Sequence, residues 1–388
     1  MPCARLSAKS LSAKSLSVLA FATAFGVTTP ATAQIFQSSE GPVQLTAVVG
    51  DLDVPWAVAF LPDGQFLITE RDGRLWLAGR DGSKREVAGV PEVRAQGQGG
   101  LLDVVTDPDF AQNATIYLSY AGPDGIVSAV TAVARARLDL GSASLSEVVE
   151  IFRQNESRRG GRHFGSRIVP DGQGNLFITT GDRGDRPDAQ DPELHIGKVI
   201  RIRPDGSVPS DNPFVSGGAL PEIWSIGHRN TQGATLGPDG ALWTISHGAA
   251  GGDEINRPEA GLNYGWPVIS YGQHYSGGRI GEGQTKPGME QPRAYWDPSI
   301  APAGGMIYSG KLWPEWQGDL FTGSLKFGFI SRVDAQFLEE GAVNVWDSQE
   351  RMFEGTLTRV RDIREGPDGA IWFLDEGLGA LVQMVPAP

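Results

Sequence analysis

Val58-Ala59-Phe60-Leu61-Pro62-Asp63-Gly64-Gln65-Phe66-Leu67-Ile68-Thr69 is an apolar run, a Pro-Asp-Gly corner and a second apolar run. Proline presets the first corner of a tight turn and glycine closes it, so the stretch reads as a β-hairpin. The pattern returns. Ile168-Val169-Pro170-Asp171-Gly172 leads, after a two-residue insertion, into Asn175-Leu176-Phe177-Ile178-Thr179. Leu236-Gly237-Pro238-Asp239-Gly240-Ala241-Leu242-Trp243-Thr244 and Arg364-Glu365-Gly366-Pro367-Asp368-Gly369-Ala370-Ile371-Trp372-Phe373 repeat it. Degenerate copies stand at Val104-Val105-Thr106-Asp107-Pro108-Asp109-Phe110, before Thr115-Ile116-Tyr117-Leu118, and at Gly305-Met306-Ile307-Tyr308, before Gly318-Asp319-Leu320-Phe321-Thr322-Gly323. The six hairpins begin near residues 62, 107, 170, 238, 307 and 367. That spacing is long for a solenoid and suits four-stranded antiparallel blades with loop insertions, hence an all-β, six-bladed β-propeller. Helical periodicity is nearly absent, and a β-sandwich with chance turns is the competing architecture.

The composition agrees. The chain has 388 residues, 40% hydrophobic and 20% charged, and its 52 Gly and 26 Pro come without a low-complexity tract, so many tight turns are implied. The net charge is −13, which excludes nucleic acid as a partner. Residues 1–33 read as a secretory signal peptide: Arg5, Lys9 and Lys14 are basic, Leu16 to Val27 is apolar, and Ala31-Thr32-Ala33 is a cleavage site. Its apolar run is too short for a membrane span, and no later segment supplies one. The only cysteine, Cys3, leaves with that segment. A single propeller over residues 34–388, exported to the periplasm and free of disulfides, is expected.

A propeller hosts many functions, so function must come from the loops. Arg158-Arg159-Gly160-Gly161-Arg162-His163-Phe164-Gly165-Ser166-Arg167 precedes the second good hairpin and puts His163 at a blade mouth, as a general base or as a surface loop residue. Gly227-His228-Arg229-Asn230-Thr231-Gln232-Gly233 precedes the third; Arg229 and Asn230 form a donor fork for a carboxylate, or a structural ion pair. Ser246-His247-Gly248-Ala249-Ala250-Gly251-Gly252-Asp253-Glu254-Ile255-Asn256 offers the hard oxygens that calcium prefers. Asp182-Arg183-Gly184-Asp185-Arg186-Pro187-Asp188 reads as a cation loop or a solvated acidic loop, and His195 and His274 as bystanders.

These blocks carry a resemblance. Gln98-Gly99-Gly100-Leu101-Leu102, Arg162-His163-Phe164-Gly165-Ser166-Arg167, Gly227-His228-Arg229-Asn230-Thr231-Gln232-Gly233, Gly252-Asp253-Glu254-Ile255-Asn256 and Asn263-Tyr264-Gly265-Trp266-Pro267 resemble, in order, the motifs of the soluble pyrroloquinoline quinone (PQQ) dependent sugar dehydrogenases. Tyr295-Trp296-Asp297-Pro298-Ser299-Ile300-Ala301-Pro302, Ser324-Leu325-Lys326 and Arg359-Val360-Arg361-Asp362 continue it. The likeness runs from about residue 50 to the C-terminus, and the compact loops are most similar to the periplasmic aldose sugar dehydrogenases.

The resemblance implies an oxidoreductase that takes the C1 hydroxyl of an aldose to a lactone, with hydride transfer to PQQ and His163 as base. It assigns Gln98, Arg229, Asn230, Tyr275, Lys326, Arg359 and Arg361 to the anionic cofactor, whose carboxylates need cations. It gives Ca2+ to the main-chain oxygens of Gly248 and Ala249, with Glu254 and Tyr264 also contributing to calcium, as a Lewis acid on the quinone. Asp182 is expected to contact the sugar or orient the base, and Tyr295 and Trp296 to wall the sugar site. The glucose branch carries an acid just before the base; here Arg162 stands there, which leaves the substrate preference open. Two rivals are a calcium-dependent propeller lactonase, which has no use for the cations, and a non-catalytic exported binding propeller. The sequence does not name the sugar, the electron acceptor or the oligomeric state.

Overall fold

The structure is a computed structural model that describes residues 33–388; nearly all of the signal segment read at residues 1–33 lies outside the described residues. Six antiparallel sheets follow one another in the chain. Their innermost strands are Pro55–Phe60, Leu101–Thr106, Gly165–Pro170, Thr231–Leu236, Pro302–Ile307 and Val360–Glu365, and each touches the next until the sixth meets the first. The ring is a six-bladed propeller.

Each turn foreseen from sequence joins an innermost strand to the second strand of its blade. Pro55–Phe60 pairs with Phe66–Glu70, and Gly64, at φ 85°, closes the corner by donating its N–H to Leu61 O at 3.0 Å. Asp63 Oδ1 takes the Gln65 N–H at 3.0 Å, the local bond that makes Asp a turn former. Phe110–Asn113, a single helical turn, fills the degenerate second corner.

Three blades have four strands and three have a fifth, which refines the uniform four-stranded expectation. In the fourth blade Val343–Asn344 adds a parallel strand beside Ala294–Trp296. In the sixth, the chain's ends close the circle: Gly41–Val49 pairs with Ala380–Pro386, and Gln34–Ser38 lies outside it. This closure ties both termini of the described chain into one sheet and removes two free edges.

One irregularity recurs in all six blades. The register between innermost and second strand slips just after the innermost strand begins, between Pro55 and Ala57, Leu101 and Val104, Gly165 and Ile168, Thr231 and Gly233, Ala303 and Met306, and Val360 and Asp362. A bulge sets two residues against one and re-aims their side chains. Here every bulge lies within the first residues of its innermost strand. They deliver Trp56, Gln232 and Arg361 to one cavity, and Asp103, Arg167 and Asp362 to the layer below it.

Candidate functional site

The lower layer is a charge quartet. Arg167 Nη1 lies 2.9 Å from Asp362 Oδ1 and 3.3 Å from Asp103 Oδ1, and Arg364 reaches the same two carboxylates at 2.9 and 2.5 Å. Main-chain N–H groups of Val58 and Ile168 complete them. Two arginines balance two aspartates, so this plug is neutral and its buried charges are fully bonded. Arg167 also lies 4.2 Å beneath the Trp56 ring centroid, making the tryptophan a supported floor for the cavity above.

That cavity, about 630 Å3, opens at the loop end of the ring. Gln98, Asn230, Ala249, Tyr275, Lys326, Arg359 and Arg361, all singled out by sequence, line it together with Trp56, Arg71, Gln232 and His247, which were not. Arg361 is nearly buried; it donates to Gln232 Oε1 at 3.2 Å and pairs with Glu376 at 3.0 Å. Burial pushes its pKa down to about 10, still a cation at neutral pH. Glu376 also takes Arg359 at 3.3 Å. Arg229 packs behind the lining, 5.3 Å over Trp266, with Nη1 on His247 O at 3.0 Å and Nε without a partner. His247 donates through Nε2 to Pro302 O at 2.6 Å, and its burial keeps the ring neutral, with the pKa pushed down to about 3.

His163 is not itself among the lining residues of this cavity but is bonded to one of them, Gln98. Its backbone is left-handed, φ 58°, and Gly181 makes the turn possible: a side-chain carbon there would sit 2.1 Å from His163 O. Gln98 Oε1 accepts the His163 N–H at 2.8 Å, joining the histidine to the lining. Nδ1 meets Asp182 Oδ1 at 2.5 Å, and Asp182 also accepts from Gly184 N at 2.8 Å and from Trp266 Nε1 at 2.9 Å. Burial raises the Asp182 pKa, yet the His163 bond and the Arg229 charge outweigh it and hold the carboxyl below its ordinary value. An ionised Asp182 only accepts, so Nδ1 carries the ring proton and Nε2 is left with its lone pair. Burial lowers the His163 pKa, and Arg229 and Arg162 add to this against the opposing pull of Asp182; the ring is neutral at pH 7. A neutral imidazole, fixed in tautomer, beside a cationic cavity can accept a proton.

Gly248, next to Ala249, lines a small enclosed space with Glu254, Arg229 and Trp266. Asp253 staples this loop to the opposite wall, taking Gly248 N at 2.7 Å, Ile300 N at 2.8 Å and Ala301 N at 3.0 Å. Glu254 is bonded by Asn256 alone, at 3.1 Å, and burial pushes its carboxyl up to about 7. Tyr264 lies one layer back, stacked 5.0 Å from His228, with its hydroxyl on Arg257 O at 2.6 Å.

The substrate residues fare differently. Asp182 is fully buried and bonded to His163 Nδ1, with no exposed surface of its own. Trp296 does not wall the cavity: it is fully buried, packed in the outer core with Ile245 and Ile255, and its Nε1 donates to Gln349 at 3.1 Å. Strand alternation forces this, since Ala294 and Trp296 share the face opposite Tyr295. Tyr295 stacks on Tyr271 at 4.1 Å and is not among the cavity's lining residues. The acidic loop holds no cation cluster; Asp185 and Asp188 pair with Arg158 at 2.7 and 2.6 Å. His195 is a structural link between Glu222 and Asn155.

The model of the glucose/sorbosone dehydrogenases matches residues 52–383. The aldose sugar dehydrogenase YliI of Escherichia coli is 44% identical over 89% of this chain and 93% of its own length. The crystal structure of the soluble aldose sugar dehydrogenase of Escherichia coli in its apo-form has a TM-score of 0.83 at 41% identity, covering 89% of this chain and all of that one. The PQQ-bound aldose sugar dehydrogenase of Streptomyces coelicolor has a TM-score of 0.68 at 25% identity, over 92% of this chain and 99% of that one. With nearly its whole propeller matched in sequence and in shape, this chain belongs to the glucose/sorbosone dehydrogenase family.

Proposed function

We propose that the protein is a PQQ-dependent aldose sugar dehydrogenase that oxidises the C1 hydroxyl to the lactone, with His163 as general base. The observation that carries this reading is the pairing of a neutral, Asp182-oriented histidine with a cavity ringed by Arg71, Lys326, Arg359 and Arg361. An acidic chain that collects four cations around one hollow is built for a polyanion.

The residues fit the cofactor. Lys326, Arg359, Arg361 and the unpartnered Nε of Arg229 would hold its carboxylates, with Gln98, Asn230 and Tyr275 as polar contacts. They also fit calcium. Among the described residues no group of three or more His, Cys, Asp or Glu is arranged to hold a metal ion, so backbone oxygens would have to complete a calcium site. Gly248 and Ala249 supply them, and Glu254 is a buried carboxyl short of partners. When bound, PQQ supplies the electrophilic carbon that receives the hydride, and calcium the Lewis acidity that polarises it. Nε2 of His163 takes the proton of the C1 hydroxyl; Asp182 stabilises the imidazolium that results; Trp266 and Gly184 keep Asp182 from turning away.

Export to the periplasm follows from the signal read at residues 1–33, and no helix among the described residues is long and apolar enough to cross a membrane. The test is reconstitution of apo-protein with PQQ and calcium against a panel of aldoses and an artificial acceptor. Dye reduction that needs both additions is expected. Oxidation supported by NAD alone, or lactone hydrolysis without sugar oxidation, overturns the reading.

A further inference from the structure

A second hollow, of about 1000 Å3, adjoins the first; Gln98 and the segment Gly161–His163 form the partition, joined by Gln98 N on Gly161 O at 2.5 Å. Four arginines line it, Arg158, Arg159, Arg162 and Arg183, against one carboxylate, Asp185. Their charges are not equally spent. Arg158 is consumed by Glu156, Asp185 and Asp188, all within 2.7 Å. Arg183 is 3% exposed, bonded only to backbone carbonyls such as Arg162 O at 2.6 Å, and its Nε has no partner. The guanidinium groups of Arg159 and Arg162 make no hydrogen bond or ion pair among the described residues, and both side chains are exposed.

Arg162 nevertheless lies close against its neighbouring loop. Its Nε lies 2.7 Å from where a side-chain carbon on Gly184 would begin, so the guanidinium rests on that glycine, which φ +88° reserves for a residue without a side chain. Gly184 N donates to Asp182 Oδ1, the oxygen that also binds His163 Nδ1. An uncommitted, bidentate cation is therefore seated two hydrogen bonds from the base, facing solvent in a protein of net charge −13.

We propose that this hollow is an anion subsite, and that Arg162 grips the carboxylate or phosphate of an acidic aldose whose C1 reacts at His163. The subsite deepens the function proposed above and rests on it for the choice of sugar. Arg183 adds fixed positive charge from below, and Arg159 stands at the rim as a second exposed cation.

The reconstituted full chain is assayed on glucose, glucuronate and glucose 6-phosphate, as wild type, Arg162→Gln and Arg162→Lys. All three sugars use the same base, so the ratio of kcat/KM for an acidic over the neutral sugar cancels any effect of Arg162 on His163. That ratio is expected to fall roughly ten- to hundredfold in Arg162→Gln, as the loss of a charge-assisted contact requires. Arg162→Lys restores part of it, and added salt lowers it in the wild type. The larger wild-type ratio identifies carboxylate or phosphate as the preferred group. In parallel, inorganic phosphate and glucuronate are titrated calorimetrically into the full chain without PQQ. Binding that weakens in Arg162→Gln supports the subsite even if no aldose is oxidised, which would sink only the dehydrogenase reading. Glucose oxidation with an unchanged ratio, or no binding of either anion, removes the subsite and leaves the dehydrogenase standing.

Discussion

Asp182→Asn separates orientation of the base from every other role of the site. Asp182 serves three donors: Gly184 N and His163 Nδ1 on Oδ1, and Trp266 Nε1 on Oδ2. An asparagine has one oxygen and one NH2, so one of these positions must become a clash of donors. If the NH2 replaces Oδ2, it faces the indole N–H, and a buried donor goes unsatisfied at a cost of about 1–3 kcal/mol. If it replaces Oδ1, it opposes Gly184 N–H and donates to Nδ1, which moves the ring proton to Nε2. In that tautomer the histidine has no lone pair for the substrate.

Either outcome weakens the base, because the charge that stabilises the imidazolium is gone in both. General-base catalysis is commonly worth about 10²- to 10⁴-fold. The expected loss of kcat lies in that range, with PQQ affinity changed by no more than a fewfold, since Asp182 is not among the cavity's lining residues. Steady-state dye reduction with reconstituted protein gives kcat, and titration of apo-protein gives the cofactor affinity. An asparagine variant that folds and turns over within a fewfold of wild type would show that Nδ1 needs no carboxylate, and the mechanism would lose its second member.

In the wild type, kcat/KM should rise with pH through a pKa below the ordinary histidine value of 6.5, because burial and two arginines depress His163 and only the neutral ring accepts a proton; a limb centred above 6.5 contradicts this. Arg361→Ala should weaken PQQ binding roughly ten- to hundredfold at little cost to turnover at saturating cofactor, and equal affinity in a folded variant would exclude Arg361 from the cofactor site. Gly181→Ala should depress turnover by pushing a methyl group to within 2.1 Å of His163 O, read as a fall in kcat with Arg361-dependent PQQ binding retained. Asp103→Ala breaks the axial quartet and leaves Arg167 and Arg364 to share Asp362, one positive charge in excess, at an expected cost of about 3–5 kcal/mol in chemical denaturation; a loss under 1 kcal/mol would mean that Asp362 alone suffices for both arginines.

The hairpins were legible because their chemistry is local: Pro62-Asp63-Gly64 needs nothing beyond itself to specify a turn, and its copies sit at the same point of each blade. His163 was legible as a mouth residue for the same reason. The bulge residues were not. Trp56, Leu102-Asp103, Ser166-Arg167, Gln232, Gly304-Gly305 and Arg361 lie at the slips of the six blades yet have no residue type common to all, and only the register slip reveals their kinship. Trp296 misled because likeness of motif does not fix which face of a three-residue strand a side chain takes. Asp182 needed the third dimension, since its partner Trp266 is far along the chain.

The bulges also explain how an acidic protein keeps a cationic cavity intact before any anion arrives. Crowded guanidinium groups repel one another, and burial, with Arg359 and Arg167 adding to it, lowers the pKa of Arg361. Glu376 offsets this by bridging Arg361 and Arg359, at 3.0 and 3.3 Å, so these two cations are positioned by a partner that cancels only part of their charge. Below them the quartet is neutral, so the field in the cavity comes from its walls and rim and not from its floor. The floor is instead a flat ring, Trp56, backed by Arg167. Cations around the sides, an aromatic plane beneath and a histidine bonded to the lining form a site shaped for a planar polyanion whose upper face is left to the substrate. Binding such an anion relieves the remaining repulsion, so the ligand should stabilise the fold by mass action as well as equip it for chemistry.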